Sequence, residues 1–333
     1  MDKTERFVRK NRCNCAAHVV QWFRKEVDAV IYTLTMNPAI DYVVRLNGPL
    51  EAGTINRSAG EAFQFGGKGI NVSNVLRNLG QETVALGFVA GETGAWLERG
   101  LAAMGLATRF IRLSRGQTRI NVKVKAETET EINGMGPEIG PKDLVRLYEQ
   151  LDGLVAGDVL VLSGSVPGCL GKDAYEKILA AAAGGGILTV VDAAGELLTR
   201  TLKHRPFLIK PNDKELADLF CRELETEADM VSAARELQAR GARNVLVSLG
   251  KDGALLVDEW GTVHRMACPQ GEVVNSVGAG DSMVAGFLAG WLETGNYDAA
   301  LKMGIAAGSA TAFSLGLADR AAVECLLGQM GIS

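Results

Sequence analysis

The 333-residue sequence has no apolar run long enough to cross a membrane. Its first dozen residues are charged throughout and lack the apolar stretch and small-residue cleavage site of a secretory signal, so a cytoplasmic protein is expected. Charge of one sign is also missing: 35 Lys and Arg stand against 39 Asp and Glu, a net charge of -4. No global field is available to hold nucleic acid or an anionic membrane, and any anionic ligand must be caught locally. The six cysteines, Cys13, Cys15, Cys169, Cys221, Cys268 and Cys325, form no CxxC pair, which argues for reduced thiols and against a disulfide framework. Neither common phosphate fingerprint occurs. There is no GxxxxGK[ST], and GAGDSM places Met283 where GxGxxG needs its third glycine.

What is present has the balance of an ordered enzyme: 47% hydrophobic residues, 22% charged and 40 glycines. Residues 1–28 read as an extension, with basic side chains at Lys3, Arg6, Arg9, Lys10 and Arg12 and a hint of a short amphipathic helix at 18–27. Cys13, Cys15 and His18 lack a fourth ligand and the usual metal spacing. From residue 29 to the end, β-branched runs at 29–35, 83–89, 158–163, 187–191, 207–210 and 244–248 alternate with helical segments. Strands apolar on both faces and separated by helices predict a mostly parallel sheet covered by helices on both sides, with ligands at the carboxyl ends of the strands. The apolar, small-residue stretch 304–317 reads as a buried helix.

Two stretches break the pattern. Residues 41–46 read as a strand, and 118–125 alternate strictly, with Arg119, Asn121, Lys123 and Lys125 on one face and Thr118, Ile120, Val122 and Val124 on the other. Residues 127–133 can return as a hairpin partner. A small β lid is therefore expected from about 41–65 and 118–135, with an uncovered apolar face that a second copy can bury in a homodimer.

The strongest chemical signal is VNSVGAGDS at 274–282, followed by a helical run with Met283, Val284, Phe287, Leu288, Trp291 and Leu292 on one face. Gly278 and Gly280 let main-chain amides converge on an anion at a helix amino terminus. Asp281 would lie beside that anion hole and could take a proton from an attacking hydroxyl, or it could simply cap the helix. In FGGKGINVSNVLRNLG, at 65–80, Gly66, Gly67 and Gly69 permit close approach to a ligand, while Lys68 and Asn71 offer charge and hydrogen bonds; a flexible turn is the bland alternative. TMNPAID, at 35–41, ends in the Asp41 carboxylate, suited to adjacent sugar hydroxyls or to a turn with Pro38. In KPNDKE, at 210–215, Asn212 and Glu215 can form a capping box, or Glu215 can orient water around magnesium. SLGKDG, at 248–253, offers either a nucleotide-contacting turn or a hairpin.

Taken in order, TMNPAID, GGKGINVSNVL, QTRINVKV, ETEINGMGPEI, LSGSVP, KPNDKEL, VSLGKDGALLV and NSVGAGDSMVAGF resemble the ribokinase-like (PfkB) sugar kinases over residues 30–317. The resemblance implies a three-layer α/β/α sandwich with a mostly parallel central sheet and a β-sheet lid at a dimer interface. It implies Asp281 as catalytic base and the amides of Gly278, Ala279 and Gly280 as anion hole. Asp41, Gly67 and Asn71 would hold the sugar, and Arg119 with Lys68 would bind a phosphate already on it. Lys210, Ser248, Gly250 and Gly253 would lie near ATP and Glu215 near Mg2+. The implied reaction moves the γ-phosphoryl of ATP to the sixth-carbon hydroxyl of fructose 1-phosphate. Tagatose 6-phosphate and fructose 6-phosphate are the alternative acceptors, and a sugar-phosphate sensor without turnover is the alternative of another class. The extension before residue 29 departs from the family, whose chains begin close to the first strand.

Overall fold

The computed structural model describes residues 29–183 and 185–331. The extension 1–28, with the helix expected at 18–27 and the Cys13, Cys15 and His18 group, lies outside the described residues. The strands are β1 (Ile31–Thr35), β2 (Ala39–Arg45), β3 (Gly60–Gly66), β4 (Thr83–Ala90), β5 (Ala107–Leu113), β6 (Arg119–Lys125), β7 (Thr130–Ile132), β8 (Val159–Ser163), β9 (Leu188–Asp192), β10 (Leu208–Ile209), β11 (Asn244–Ser248), β12 (Ala254–Val257) and β13 (Val263–Met266). Nine of them form one sheet in the order β13-β12-β11-β10-β9-β8-β1-β4-β5. From β11 across to β5 every pairing is parallel, and only β12 is reversed, antiparallel to both β11 and β13.

β1, β4 and β8 are buried along their whole length, which explains their unbroken β-branched and apolar composition. Their side chains alternate between two cores. Tyr32, Leu34, Leu160 and Leu162 pack with Leu147, Tyr175, Leu216 and Leu237 on one face, while Ile31, Val159 and Val161 pack with Val72, Val284, Phe287 and Ile305 on the other. Helices thus cover both faces, as the alternation of strand and helix signals predicts. None of the helices among the described residues is long and apolar enough to cross a membrane, and the described Cys169, Cys221, Cys268 and Cys325 are free thiols.

The Ala279–Thr294 helix differs from its expected one-sided pattern: Asp281 to Gly290 are all buried. Its outer side is taken by the following Tyr297–Ala312 helix, which ends before Phe313, short of the stretch expected to reach residue 317. The two helices approach backbone to backbone. A Cβ at Gly286 would stand 2.5 Å from the Met303 carbonyl oxygen, and one at Gly304 would stand 2.9 Å from that of Met283.

A second sheet, ordered β3-β2-β6-β7, forms the lid. Phe63, Tyr42, Val122 and Ile132 align as one row across its four strands. The root of that apolar face is covered by the chain's own Trp96, against which Phe63 and Phe65 pack edge-on. Farther out, Phe63 is 48% exposed, Ile120 39% and Ile132 63%. The opposite, polar face carries Asp41, Asn121 and Lys123.

At the far edge, His264 on β13 ties the sheet to the Tyr297–Ala312 helix. Its Nδ1 and Nε2 lie 2.7 Å from Asp298 and 2.9 Å from Asp258. Burial pulls the imidazole pKa down, but the bonds to the two carboxylates outweigh it and hold the value above the usual one. A raised folded-state pKa stabilises the fold below the unfolded value of about 6.5, and the benefit is lost as pH rises through the raised value. His264→Gln should therefore cost about 1–2 kcal/mol in urea unfolding at pH 6 and less at pH 9; a cost that grows with pH would sink this assignment.

Candidate active site

The main sheet changes winding direction between β1 and β8, and the carboxyl ends of the neighbouring strands open there. Asp192 ends β9, Lys210 directly follows β10, and Ser163 ends β8. Asp192 is buried and accepts from Lys210 Nζ at 3.1 Å and from Ser163 Oγ at 3.3 Å, with Lys68 Nζ at 3.7 Å. Burial pushes the Asp192 carboxyl pKa up, but the Lys210 and Lys68 charges more than offset this and hold it low.

Facing this cluster is the amino terminus of the Ala279–Thr294 helix. Gly278 is its N-cap at φ 83°, a left-handed conformation that favours glycine. The Ala279 N–H is spent on Ser276 O at 3.2 Å, which leaves the Gly280 amide as the better placed of the two for a ligand. Lys210 Nζ adds charge here, 3.3 Å from where a Cβ on Gly280 would stand.

Asp281 occupies the third position of the helix, is 5% exposed and makes no cap hydrogen bond. The capping alternative therefore does not hold. Its Oδ2 instead accepts from Asn71 Nδ2 at 2.8 Å, across from the Lys68–Asn78 helix. That helix is anchored at its start, where Ile70 N donates to Thr35 Oγ1 at 3.0 Å and Gly67 is the N-cap, its missing Cβ leaving room for Thr35 Cγ2. Burial first, and the Asp192 charge second, push the Asp281 pKa up to about 7 against the Asn71 bond and the two lysines. A carboxylate with that pKa, buried beside main-chain donors and two cations, is matched to proton abstraction near neutral pH.

A second group sits under the lid. Asp41 and Asn121 are register partners on β2 and β6, joined by Asn121 Nδ2 donating to Asp41 Oδ1 at 2.7 Å. Arg119 donates from Nε to Asn37 O at 3.2 Å and from Nη1 to Gly134 O at 3.4 Å. Burial pulls the Arg119 guanidinium pKa down and the Asp41 charge partly offsets it. The two cations expected together on one phosphate thus have different partners here. Lys68 is drawn to Asp192, whose charge raises its pKa against burial, with Asp281 and Glu215 contributing less, whereas Arg119 feels the charge of Asp41.

Residues 28–322 match the profile of the pfkB family carbohydrate kinases. The chain belongs to that family. This kinase is 42% identical to 1-phosphofructokinase of Bacillus subtilis over 304 residues, which cover 91% of its length and 99% of the relative. It is 37% identical to D-tagatose-1-phosphate kinase of Bacillus licheniformis over 306 residues, 91% and 99% of the two chains. The crystal structure of phosphofructokinase-2 from Escherichia coli in complex with fructose-6-phosphate aligns with TM-score 0.84 at 30% identity, covering 90% of this chain and 99% of that one. The fold is ribokinase-like, as expected, and the family's activity makes ATP the phosphoryl donor.

Ser248 ends β11 and donates from its N–H to Pro211 O at 3.1 Å. Residues 249–253 form the turn of the β11–β12 hairpin, so the hairpin alternative for SLGKDG is what the chain adopts. Gly253 is accounted for by packing, since a Cβ there would meet Met266 O at 2.1 Å, whereas Gly250 faces open space. Glu215 closes the capping box: its N–H donates to Asn212 Oδ1 at 2.7 Å and its Oε2 accepts from Asn212 N at 2.9 Å. Among the described residues no three His, Cys, Asp or Glu side chains cluster to cage a metal. The fixed Glu215 carboxylate is a hard oxygen donor of the kind suited to magnesium held mainly by phosphate oxygens and water.

Asp192 and Asn121 are the site groups that motif reading missed. Asp192 had a signal of sorts, a lone acid closing a β-branched run, and Asn121 was already on the face of Arg119.

Proposed function

We propose that this kinase transfers the γ-phosphoryl group of ATP to the sixth-carbon hydroxyl of fructose 1-phosphate, giving fructose 1,6-bisphosphate. The observation that carries the reading is the buried Asp281, held by Asn71 at a helix amino terminus beside Lys210. Asp281 accepts the hydroxyl proton as the oxygen attacks phosphorus. The amides at Gly278 and Gly280, with Lys210 and Lys68, meet the charge on the phosphoryl oxygens, and Ala279 shapes the turn. Asp41, Gly67 and Asn71 hold the sugar, and Arg119 takes the phosphate already on it. Ser248, Gly250 and Gly253 form the nucleotide edge. Bound magnesium would neutralise phosphate charge, with Glu215 orienting its water from a carboxylate fixed by the capping box.

The similarity to 1-phosphofructokinases favours a ketose carrying phosphate at its first carbon, and the D-tagatose-1-phosphate kinase relative makes the tagatose epimer the second candidate. We further propose that the kinase works in the cytoplasm as a homodimer, with the exposed row at Phe63 and Ile132 buried by the lid of a second copy.

An ATP-coupled assay across fructose 1-phosphate, tagatose 1-phosphate, fructose 6-phosphate, tagatose 6-phosphate and free fructose tests this. Fructose 1-phosphate should show the highest kcat/KM; preference for a 6-phosphate would overturn the assignment. Arg119→Ala should raise KM for the phosphorylated ketose about 10- to 100-fold, the worth of a charge-assisted bond, while slow turnover of free fructose stays unchanged.

A further inference from the structure

We propose that Asn121 is a positioning residue of the sugar site, which keeps the Asp41 carboxylate and the Arg119 guanidinium from pairing with each other. The proposal rests on the reading of Asp41 and Arg119 as holders of hydroxyl and phosphate. It deepens that reading by naming what keeps them separately available.

Asn121 lies mid-strand on β6, 5% exposed, two residues from Arg119 and on the same face. Both ends of its amide are committed. Nδ2 donates to Asp41 Oδ1 at 2.7 Å, and Oδ1 accepts from Gly134 N at 3.1 Å. Turned over, the amide would face a carboxylate with its oxygen and an N–H with its own donors, so this orientation is fixed by chemistry. The Gly134 backbone serves both residues, because its carbonyl accepts from Arg119 Nη1 while its N–H donates to Asn121 Oδ1.

Asp41 and Arg119 sit on adjacent paired strands with register offset by two, so their opposite charges lie within mutual reach. Even so, the bonds that hold them go elsewhere: Asp41 to Asn121, Arg119 to Asn37 O and Gly134 O. A direct Asp41–Arg119 pair would consume the carboxylate meant for hydroxyls and neutralise the charge meant for phosphate. Asn121 satisfies Asp41 with a neutral donor, leaving Oδ2 for substrate, and steadies the segment that holds Arg119.

The test is a double-mutant cycle with fructose 1-phosphate and ATP as probes. Asn121→Ala should raise KM for the sugar phosphate about tenfold, the worth of one bond to a charged group, with KM for ATP little changed and the melting temperature lowered by a few degrees. In an Asp41→Asn background, where no charge remains to collapse onto Arg119, adding Asn121→Ala should have almost no further effect on KM. Equal effects in both backgrounds would mean a merely structural side chain and overturn the proposal. A sugar KM unmoved by Asp41→Asn alone would bring down the sugar-site reading as well. If instead Asp41→Asn raises KM and Asn121→Ala does not, only the positioning role falls.

Asn121→Asp serves as the second variant, being isosteric and retaining the acceptor for Gly134. Its new carboxyl faces Asp41 on β2, Arg119 and Lys123 on its own strand, and Glu131 on β7, which is already paired to Lys123. At pH 8 two carboxylates would repel; at pH 6 a shared proton would restore the bond. The sugar KM, relative to the parent enzyme at each pH, should therefore fall as pH drops, and a flat ratio would overturn the proposal.

Discussion

Asp281→Asn should lower kcat by about a hundredfold to ten-thousandfold, the usual contribution of a positioned general base, with KM for ATP nearly unchanged. Asparagine keeps the size of the side chain and can still bond Asn71, but it cannot take a proton. Turnover within a few-fold of the parent enzyme would remove Asp281 from the mechanism. The pH profile of the parent gives an independent reading. The base works only when ionised and burial lifts its pKa to about 7 in the free enzyme, so kcat/KM should rise with pH through neutrality and level off above it. The same raised pKa means that ionising Asp281 in its buried position costs stability from the unfolded carboxyl value upward. At pH 8, therefore, Asp281→Asn should melt higher than the parent while being far less active.

Asp192→Ala should be the most destabilising single change in the site, by about 3–5 kcal/mol. The reason lies in its partner. The Lys210 side chain is 6% exposed, and its ion pair is with Asp192. Lys68 is 46% exposed and adds little to that cost. Guanidinium unfolding measures the loss, and a change below about 1 kcal/mol would show that water or another acid replaces Asp192, against its buried setting. Removing the Asp192 charge also removes a cause of the high Asp281 pKa while both lysines remain. In whatever fraction stays folded, the rising limb of the kcat/KM profile should move to lower pH; a move upward would contradict the electrostatic account.

Sequence reading reached Asp281 because its environment is local. A glycine turn, a helix start and an acid in its first turn all fall within nine residues, and the turn-and-helix chemistry is set by neighbours in the chain. Asn71 was accessible in the same way. Asp192 was not, because its meaning comes from β9 and β10 lying side by side, which places Lys210 against it, and from Lys68 reaching in from a distant helix. Asn121 was half legible: strict alternation put it on the polar face, but nothing in the spacing says that Asp41 is opposite. The same limit applies to strands. β11 was found to the residue, yet β5, β12 and β13 went unseen. β5 and β13 are edge strands whose polar and arginine-bearing positions blur a buried pattern. The Ala279–Thr294 helix looked one-sided in sequence because its second covering layer is another helix rich in alanine and glycine, residues that an amphipathic reading does not count as apolar ridges.

The contact at Gly286 and Gly304 leaves no flexible side chain between the helix that carries Asp281 in its first turn and its neighbour. A rod clamped along its length by main chain has little freedom to slide or roll, so the base and its donors hold their arrangement whether or not anything is bound. On the proposed role of Asp281, reorganisation during the reaction then falls to the substrate rather than to the base. If Asp281 is the base, as proposed, the acceptor hydroxyl is delivered to a stationary proton acceptor, and slow steps should be sought in that delivery.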